Sequence, residues 1–333
     1  MTIKNYSLLD LAPVNEGSEP ADAFRNAADL ARHAEDWGFT RYWLAEHHNM
    51  PGIASAATSV VVGHVAGSTK TIRVGAGGIM LPNHSPLIIA EQFGTLESLY
   101  PGRIDLGLGR APGSDMVTAR ALRRNLESNP DNFFQDLGEL QAFFSPPEES
   151  QRVQAVPGSG LEIPIWILGS SMFGSQVAAA LGLPFAFASH FAPDSMLGAI
   201  KTYRSHFKPS RNLAEPHVMV GVNFFAAETD LEAQRLFTSL QKQFTNLFRG
   251  SPGKLQPPVD SMEAYWNPSE RVGVERALLH SVVGSPSTVS EKLEEFIELT
   301  GADELMLTGQ IYEHNARLAS FEIASQVCSK QIH

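Results

Sequence analysis

The sequence predicts an α/β chain folded as a (β/α)8 TIM barrel with insertions. Three observations carry this. Short, near-continuous apolar runs alternate with longer amphipathic runs about eight times along the chain, as parallel strands buried on both faces do. No change of composition divides the 333 residues into halves, so one domain over residues 1–333 fits better than a doubly wound sheet with a second domain. Each apolar run also ends in glycine or polar residues, which is where a barrel keeps its chemistry.

The elements follow in order. YSLLDLA reads as a strand. In ADAFRNAADLARHAEDWGF the residues Phe24, Ala27, Ala28, Leu30, Ala31, Ala34 and Trp37 share one helical face, and Gly38 stops the helix. RYWLAEHH is a strand, SAATSVVVGHVAGST a helix, IRVGAGGIML a strand and PLIIAEQFGTLESLYPG a helix closed by Pro101 and Gly102. RIDLGLG is the fourth strand, with helical runs at MVTARALRRNL and DNFFQDLGELQAFF. A polar insertion covers residues 145–162. IPIWILGSS, FAFASHF and HVMVGVNFFAA are strands, and GSQVAAALGLP, DSMLGAIKTYRSHF and DLEAQRLFTSLQKQFTNLF the helices after them. A second insertion, at 249–280, begins in the Pro- and Gly-rich SPGKLQPPVDSMEAYWNPS and is expected to act as a lid. Two helical runs, ERVGVERALLH and TVSEKLEEFIELTG, lead to the last strand, DELMLTG, and the closing helix HNARLASFEIASQV.

Composition excludes several classes. Lys and Arg number 25 against 36 Asp and Glu, a net charge of −11, and the densest basic cluster is Arg120, Arg123 and Arg124. Nucleic acid is therefore not an expected partner. No apolar run is long enough to span a membrane, and the N-terminus lacks a secretory h-region, so the expected location is the cytoplasm. Cys328 is the single cysteine, which excludes a disulfide framework and a cysteine-based metal site.

The strand ends carry the chemistry. The second strand ends in Glu46, His47 and His48. Adjacent strand residues point to opposite faces, so no metal site is expected, and one inward histidine is expected to serve as acid or base. The alternative is that one of the pair simply hydrogen-bonds in the barrel mouth. The third strand ends in GAGGIMLPNHSP, where Gly75, Gly77 and Gly78 either let a flat ring lie against backbone or allow tight strand packing. Asn83 and His84 add polar groups. The fourth ends in LGLGRAPGSD. Its glycines at 107, 109 and 113 are one residue too wide for a dinucleotide fingerprint, and the stretch opens no first βαβ unit. Arg110 at the strand end suits a phosphate, unless it simply pairs with Asp115. Gly169, Ser170, Ser171, Gly174 and Ser175 open the next helix, a place for phosphate or for ordinary capping. His190 and Phe191 stand at the end of the sixth strand. One arginine, one phosphate turn and a glycine-rich wall suggest a mononucleotide cofactor, in a barrel most often FMN. Trp43, Met80, His84, Phe191 and Trp266 are the candidate lining of a substrate pocket.

Taken together, AEHHNMPG, GGIMLPNHSP, DLGLGRAPGSD, the run from LGSS to LGLPFAFASHF and the late GSPSTVSEKL resemble the bacterial luciferase-like, flavin-dependent monooxygenases over nearly the whole chain. The resemblance implies a TIM barrel using reduced FMN, supplied by a separate flavin reductase, and O2 to oxidise a small organic substrate such as an aldehyde. It implies a phosphate contact at Arg110, a phosphate turn at Ser170, Ser171, Gly174 and Ser175, and a cis Gly77–Gly78 peptide beside the isoalloxazine. His47 falls on the family's active-site histidine and Asp115 on its acidic neighbour. Gly109 stands where luciferases carry a reactive cysteine, and residues 249–280 are unlike their lid. The chain is more similar to the oxidoreductases of the family than to a luciferase subunit. Relatives on this barrel that use a deazaflavin as dehydrogenases, and a non-catalytic flavin-binding protein, are the alternatives. The family implies a homodimer, with SAATSVVVGHVAG as the expected interface.

Overall fold

The structure, a computed structural model, describes residues 3–110, 116–122, 132–148 and 151–330. Eight parallel strands close into a ring: β1 (Asn5–Asp10), β2 (Arg41–Leu44), β3 (Arg73–Met80), β4 (Ile104–Gly109), β5 (Ile165–Gly169), β6 (Phe185–Phe187), β7 (Val218–Ala226) and β9 (Glu304–Thr308), with β9 pairing both β7 and β1. This is the predicted (β/α)8 barrel. A further strand, β8 (Val282–Gly284), pairs only the far end of β7. The sequence reading did not separate it from its surroundings, because three residues carry no periodicity.

The strand pleat sorts side chains into two cores. Leu8, Tyr42, Val74, Leu106, Ile167, Phe185, Val220 and Leu305 face outward and are buried under the helices. Leu9, Trp43, Trp166, Ala186, Met219 and Met306 face inward and form a separate core inside the ring. Both sets are apolar, so the strands read as continuous apolar runs.

The helices that cover the ring are α1 (Pro20–Asp36), α2 (Thr58–Ser68), α3 (Pro86–Leu99), α4 (Met116–Leu122), α5 (Phe133–Phe144), α6 (Met172–Leu181), α7 (Met196–His206), α8 (Asp230–Phe248), α9 (Pro268–Ala277), α10 (Pro286–Thr300) and α11 (His314–Cys328). Their starts follow local rules. Pro20 opens α1 behind a Glu19–Asp22 capping box, Asn267 and Glu270 box α9, and the Thr229 hydroxyl accepts the Glu232 N–H to start α8. Gly38 and Gly301 end α1 and α10 at φ +80° and +57°, a left-handed turn that glycine makes without steric cost. No helix among the described residues is long and apolar enough to cross a membrane.

Two strand ends are corrected. The strand FAFASHF ends at Phe187, because the Ser189 N–H turns back to the Phe187 carbonyl and the Phe191 N–H to that of Ala188. RYWLAEHH keeps strand pairing only through Leu44, although Ala45 and Glu46 still donate to Asp10 and Gly78. Within 249–280, residues 268–277 are α9, where the helical run ERVGVERALLH is expected, and the preceding connector is tied to the barrel. Leu255 is fully buried, and its backbone exchanges hydrogen bonds with Val14 and Glu16. Lys242 and Lys254 hold the carbonyls of Pro257 and Ser18, and Tyr265 bonds Asn246 and Gln256.

The closing helix is locked to the first strand by one buried ion pair. Arg317 on α11 reaches Asp10 at the end of β1 at 2.5 Å, and both are almost wholly buried. Asp10 also accepts the Tyr42 hydroxyl and the Ala12 N–H. Removing one member of such a pair leaves a buried charge uncompensated. Arg317→Met is expected to cost about 3–5 kcal/mol of stability, measured as the shift in urea midpoint. A loss under about 1 kcal/mol would show that the pair does not close the barrel.

Candidate active site

The two ends of the barrel differ because one is already full. At the N-terminal ends of the strands, the Arg41 guanidinium bridges Asp105 at 2.9 Å and Glu304 at 2.8 Å. Arg73 adds a 2.6 Å contact to Asp105, and Ser7 and His217 complete the shell of Glu304. Both carboxylates are fully buried. Above them Trp43 and Trp166 meet edge to face at 5.3 Å. Charge and aromatic rings thus plug this end, and the C-terminal mouth is left for ligands. Trp43, expected to line the substrate pocket, belongs to this plug. Its indole N–H donates downward to Asp105 at 3.1 Å, so the ring is at most the floor of the mouth.

The pleat separates the three consecutive polar residues after β2. Glu46 and His48 project together, away from the interior. The Glu46 carboxylate is buried and accepts from His48 Nε2 at 2.7 Å, His84 Nε2 at 2.9 Å and the Met80 N–H at 2.9 Å. Burial pushes the Glu46 carboxyl upward, but these bonds and the His84 charge outweigh it and hold it below the usual carboxylate range. Three donor groups of metal-ligand type therefore lie within 4.8 Å of one another. Since the carboxylate is already filled by N–H donors, the arrangement is an anchor for the loops after β2 and β3. Residues at i and i+2 of an extended chain share a face, which brings Glu46 and His48 together, while His84 comes from a different strand end. His84, expected to line the pocket, is instead held against Glu46.

His47 is left on the interior side, two residues beyond Ala45 of the inner core. Its imidazole makes no hydrogen bond among the described residues. Burial holds it below the usual histidine value, and His48 adds to that while Glu46 opposes it. It is therefore favoured as neutral near pH 7, as a general base requires. A second imidazole shares the mouth. His190, just past β6, has a buried Nδ1 without a hydrogen-bond partner. Burial, and then the His47 charge, push it down to about 4. His190 stands at the mouth as its place after the sixth strand implies, but nothing in ASHF reveals the missing partners.

Next to the histidine anchor, after β4 and β5, stand an arginine and two serines that could hold an anion. Arg110 follows β4 directly, is exposed, and has no carboxylate partner among the described residues. Its guanidinium lies 4.1 Å over the Phe173 ring, in the first turn of α6. Ser170 and Ser171 are exposed beside it, and the Ser171 hydroxyl makes no capping bond. Ser175 does not join them: it is buried, and its hydroxyl donates to the Met172 carbonyl at 2.7 Å. Gly169 and Gly174 serve close packing. A Cβ on either would come within 3.3 Å of the other's Cα, so β5 and α6 meet backbone to backbone.

The Gly77–Gly78 peptide is cis, as the resemblance implies. A Cβ on Gly77 would lie 2.8 Å from the Trp43 ring, and one on Gly78 2.7 Å from the Gly107 carbonyl. Packing alone thus demands glycine at both, and Gly77 stays partly open to the mouth. Met80 is half-buried, with its sulfur near Gly109. Phe191 is 44% exposed at the rim, edge-on to His190. Trp266 packs among Phe225, Leu236 and Val274 between α8 and α9. Asp115 lies outside the described residues.

The depressed His190 value makes stability pH-dependent. Between about pH 6.5 and 4 the unfolded chain binds a proton at this residue that the folded chain refuses, so stability falls as pH falls through that window. From pH 7 to 5 the term amounts to about 2 kcal/mol. His190→Gln is expected to remove that share of the acid loss in urea melts at the two pH values. An unchanged loss would mean His190 titrates as an exposed histidine.

With this geometry in place, comparison with known proteins is direct. A family model described as luciferase-like monooxygenase matches residues 7–304. A luciferase-like monooxygenase of Escherichia coli K12 is 56% identical over 322 residues, covering 97% of this chain and 96% of that protein. The N-acetyl-S-alkylcysteine monooxygenase of Bacillus subtilis is 36% identical over 239 residues, covering 70% and 71%. Among solved structures, apo-MsnO8 superposes with a TM-score of 0.86 at 32% identity, covering 98% of each chain. The oxygenating constituent of 3,6-diketocamphane monooxygenase from Pseudomonas putida, in complex with FMN, gives 0.76 at 18% identity, covering 100% and 99%, and shares the fold. The chain belongs to the luciferase-like monooxygenase family.

Proposed function

We propose that this chain is an FMN-dependent monooxygenase that takes reduced FMN from a separate flavin reductase and uses O2 to oxidise a small organic substrate. The observation that carries this is Arg110: a guanidinium without a carboxylate partner among the described residues, stacked on Phe173 where α6 begins. Free N–H groups of a first helical turn, two exposed serine hydroxyls and a guanidinium together form a phosphate site. The isoalloxazine would rest against Gly77 and Gly78, where no side chain intervenes. When bound, reduced FMN supplies two electrons to O2, one oxygen atom going to the substrate and the other to water.

The chain's residues have the remaining tasks. Arg110, Ser170 and Ser171 hold the phosphate. Met80 and Phe191 give the mouth an apolar rim that limits water. His47, neutral and without a fixed partner, takes or gives a proton at the substrate. Asp115 is proposed as its acidic neighbour. The substrate is a small aldehyde or thioether; the thioether follows the name of the Bacillus subtilis relative. A homodimer is proposed on the same family basis.

Anaerobic titration with reduced and oxidised FMN tests the reading. Reduced FMN is expected to bind more tightly, and Arg110→Ala to weaken it by about tenfold or more, the loss of one charge-assisted phosphate contact. His47→Ala is expected to leave that affinity within about twofold while cutting substrate oxidation. Absence of FMN binding by the folded protein would overturn the assignment and favour a deazaflavin.

A further inference from the structure

We propose that His190 is a substrate-binding residue of the mouth, donating a hydrogen bond from Nε2 to an uncharged carbonyl oxygen of an aldehyde, ketone or amide. The inference rests on the proposed function for the place of the flavin, and on the flavin-free protein for its test.

The loop that carries this histidine is docked on β7. Ser189 donates to the Gly221 carbonyl at 2.5 Å, and Asn223 donates to the His190 carbonyl at 2.6 Å. On β7, Met219 belongs to the inner core, while Val220 and Val222 belong to the outer one. Gly221 therefore faces inward, and a side chain there would stand inside the barrel. The His190 ring takes that space. A Cβ on Gly221 would lie 2.4 Å from Nδ1, 3.2 Å from Cε1 and 3.4 Å from Cγ.

Those three distances fix how the ring is turned. A point above the ring plane would be almost equally far from the three atoms. A point clearly nearer Nδ1 than its two ring neighbours lies close to the plane, on the outward axis of that nitrogen. Nδ1 is thus aimed at a C–H of Gly221, which offers no acceptor. A proton on Nδ1 would be driven into that C–H, whereas a bare lone pair fits against it. The neutral ring therefore carries its proton on Nε2. Among the described residues neither nitrogen has a hydrogen-bond partner, and of the two only Nδ1 is sealed from solvent. Nε2, turned away from β7, is the donor left for a ligand. His48 and His84 differ, since both spend Nε2 on Glu46.

The chemistry of that ligand follows from the donor and its wall. The flavin of the proposed function takes the side from β3 to β5, with Gly77 and Gly78 under its ring and Arg110, Ser170 and Ser171 at its phosphate. His190 stands beyond these, on the wall of β6 and β7, which leaves its donor to the substrate. The donor is single, and the ring offers the mouth no acceptor. The group that fits it must accept and need not donate, as a carbonyl oxygen does. A carboxylate fits less well. Forming an ion pair with it would require a second proton, on Nδ1 against Gly221. The groups packed on His190 are Phe191, Gly221 and Asn223, none of them positive, so a desolvated anion there would lack a counter-ion.

The test uses flavin-free protein with isotope-labelled histidine ring nitrogens. Nitrogen NMR near neutral pH, assigned with His190→Phe, is expected to show a bare Nδ1 and a protonated Nε2 at His190. Methyl hexyl ketone is then titrated beside octanoate, which has the same number of carbons. The ketone is expected to shift the Nε2 resonance and to bind more tightly than octanoate. His190→Phe keeps an aromatic ring but removes the donor, and is expected to weaken the ketone about fivefold, the worth of one neutral hydrogen bond. Gly221→Ala keeps the histidine but displaces its ring, and is expected to abolish the Nε2 shift. A proton on Nδ1, a ketone affinity unchanged in His190→Phe, or tighter octanoate would overturn the proposal. An Nε2 shift caused by FMN and not by the ketone would make His190 a flavin contact and overturn it equally. The ketone readouts need no FMN, so failure here is distinct from failure of the flavin assignment.

Discussion

A strand allows its side chains two directions only, and closing eight strands into a ring fixes which of the two is inside. Everything at the site follows from that constraint. Inward positions at the strand starts hold Arg41, Asp105 and Glu304, which neutralise one another where water is excluded. Inward positions one layer up hold Trp43, Trp166, Met219 and Met306. A ligand cannot enter from below through a buried ion network capped by aromatic rings. The C-terminal mouth is therefore the end that remains for chemistry.

The same constraint divides four histidines into two kinds. His48 and His84 are held by the buried Glu46 carboxylate and fix the loops that follow β2 and β3. His47 and His190 face the interior, and their ring nitrogens make no hydrogen bond among the described residues. Anchoring is what makes the free pair useful, because an unsupported loop would let His47 drift out of register. Positive charge is kept apart, at Arg110, where a phosphate is the fitting counterpart.

Much of the barrel was legible in the sequence. Apolar runs alternating with amphipathic ones fixed the number of ring strands, and strand ends rich in glycine and polar residues located the mouth. Arg110, Ser170, Ser171 and His47 stand at the strand ends, where the structure leaves them beside the mouth. The remainder turned on contacts that a linear pattern does not encode. Nothing in AEHHN shows that Glu46 will meet His84, thirty-eight residues away. Trp43 looked like a pocket wall until Asp105 was seen to hold its N–H. Ser175 looked like a phosphate ligand until its hydroxyl turned back to Met172.

The central claim is that the mouth is built around a flavin phosphate. A crystal structure of the protein with bound FMN tests it most directly. The phosphate is predicted within hydrogen-bonding distance of the Arg110 guanidinium and the first N–H groups of α6, with the ring system against Gly77 and Gly78. A phosphate bound away from Arg110, or a ring system lying elsewhere on the barrel, would contradict it.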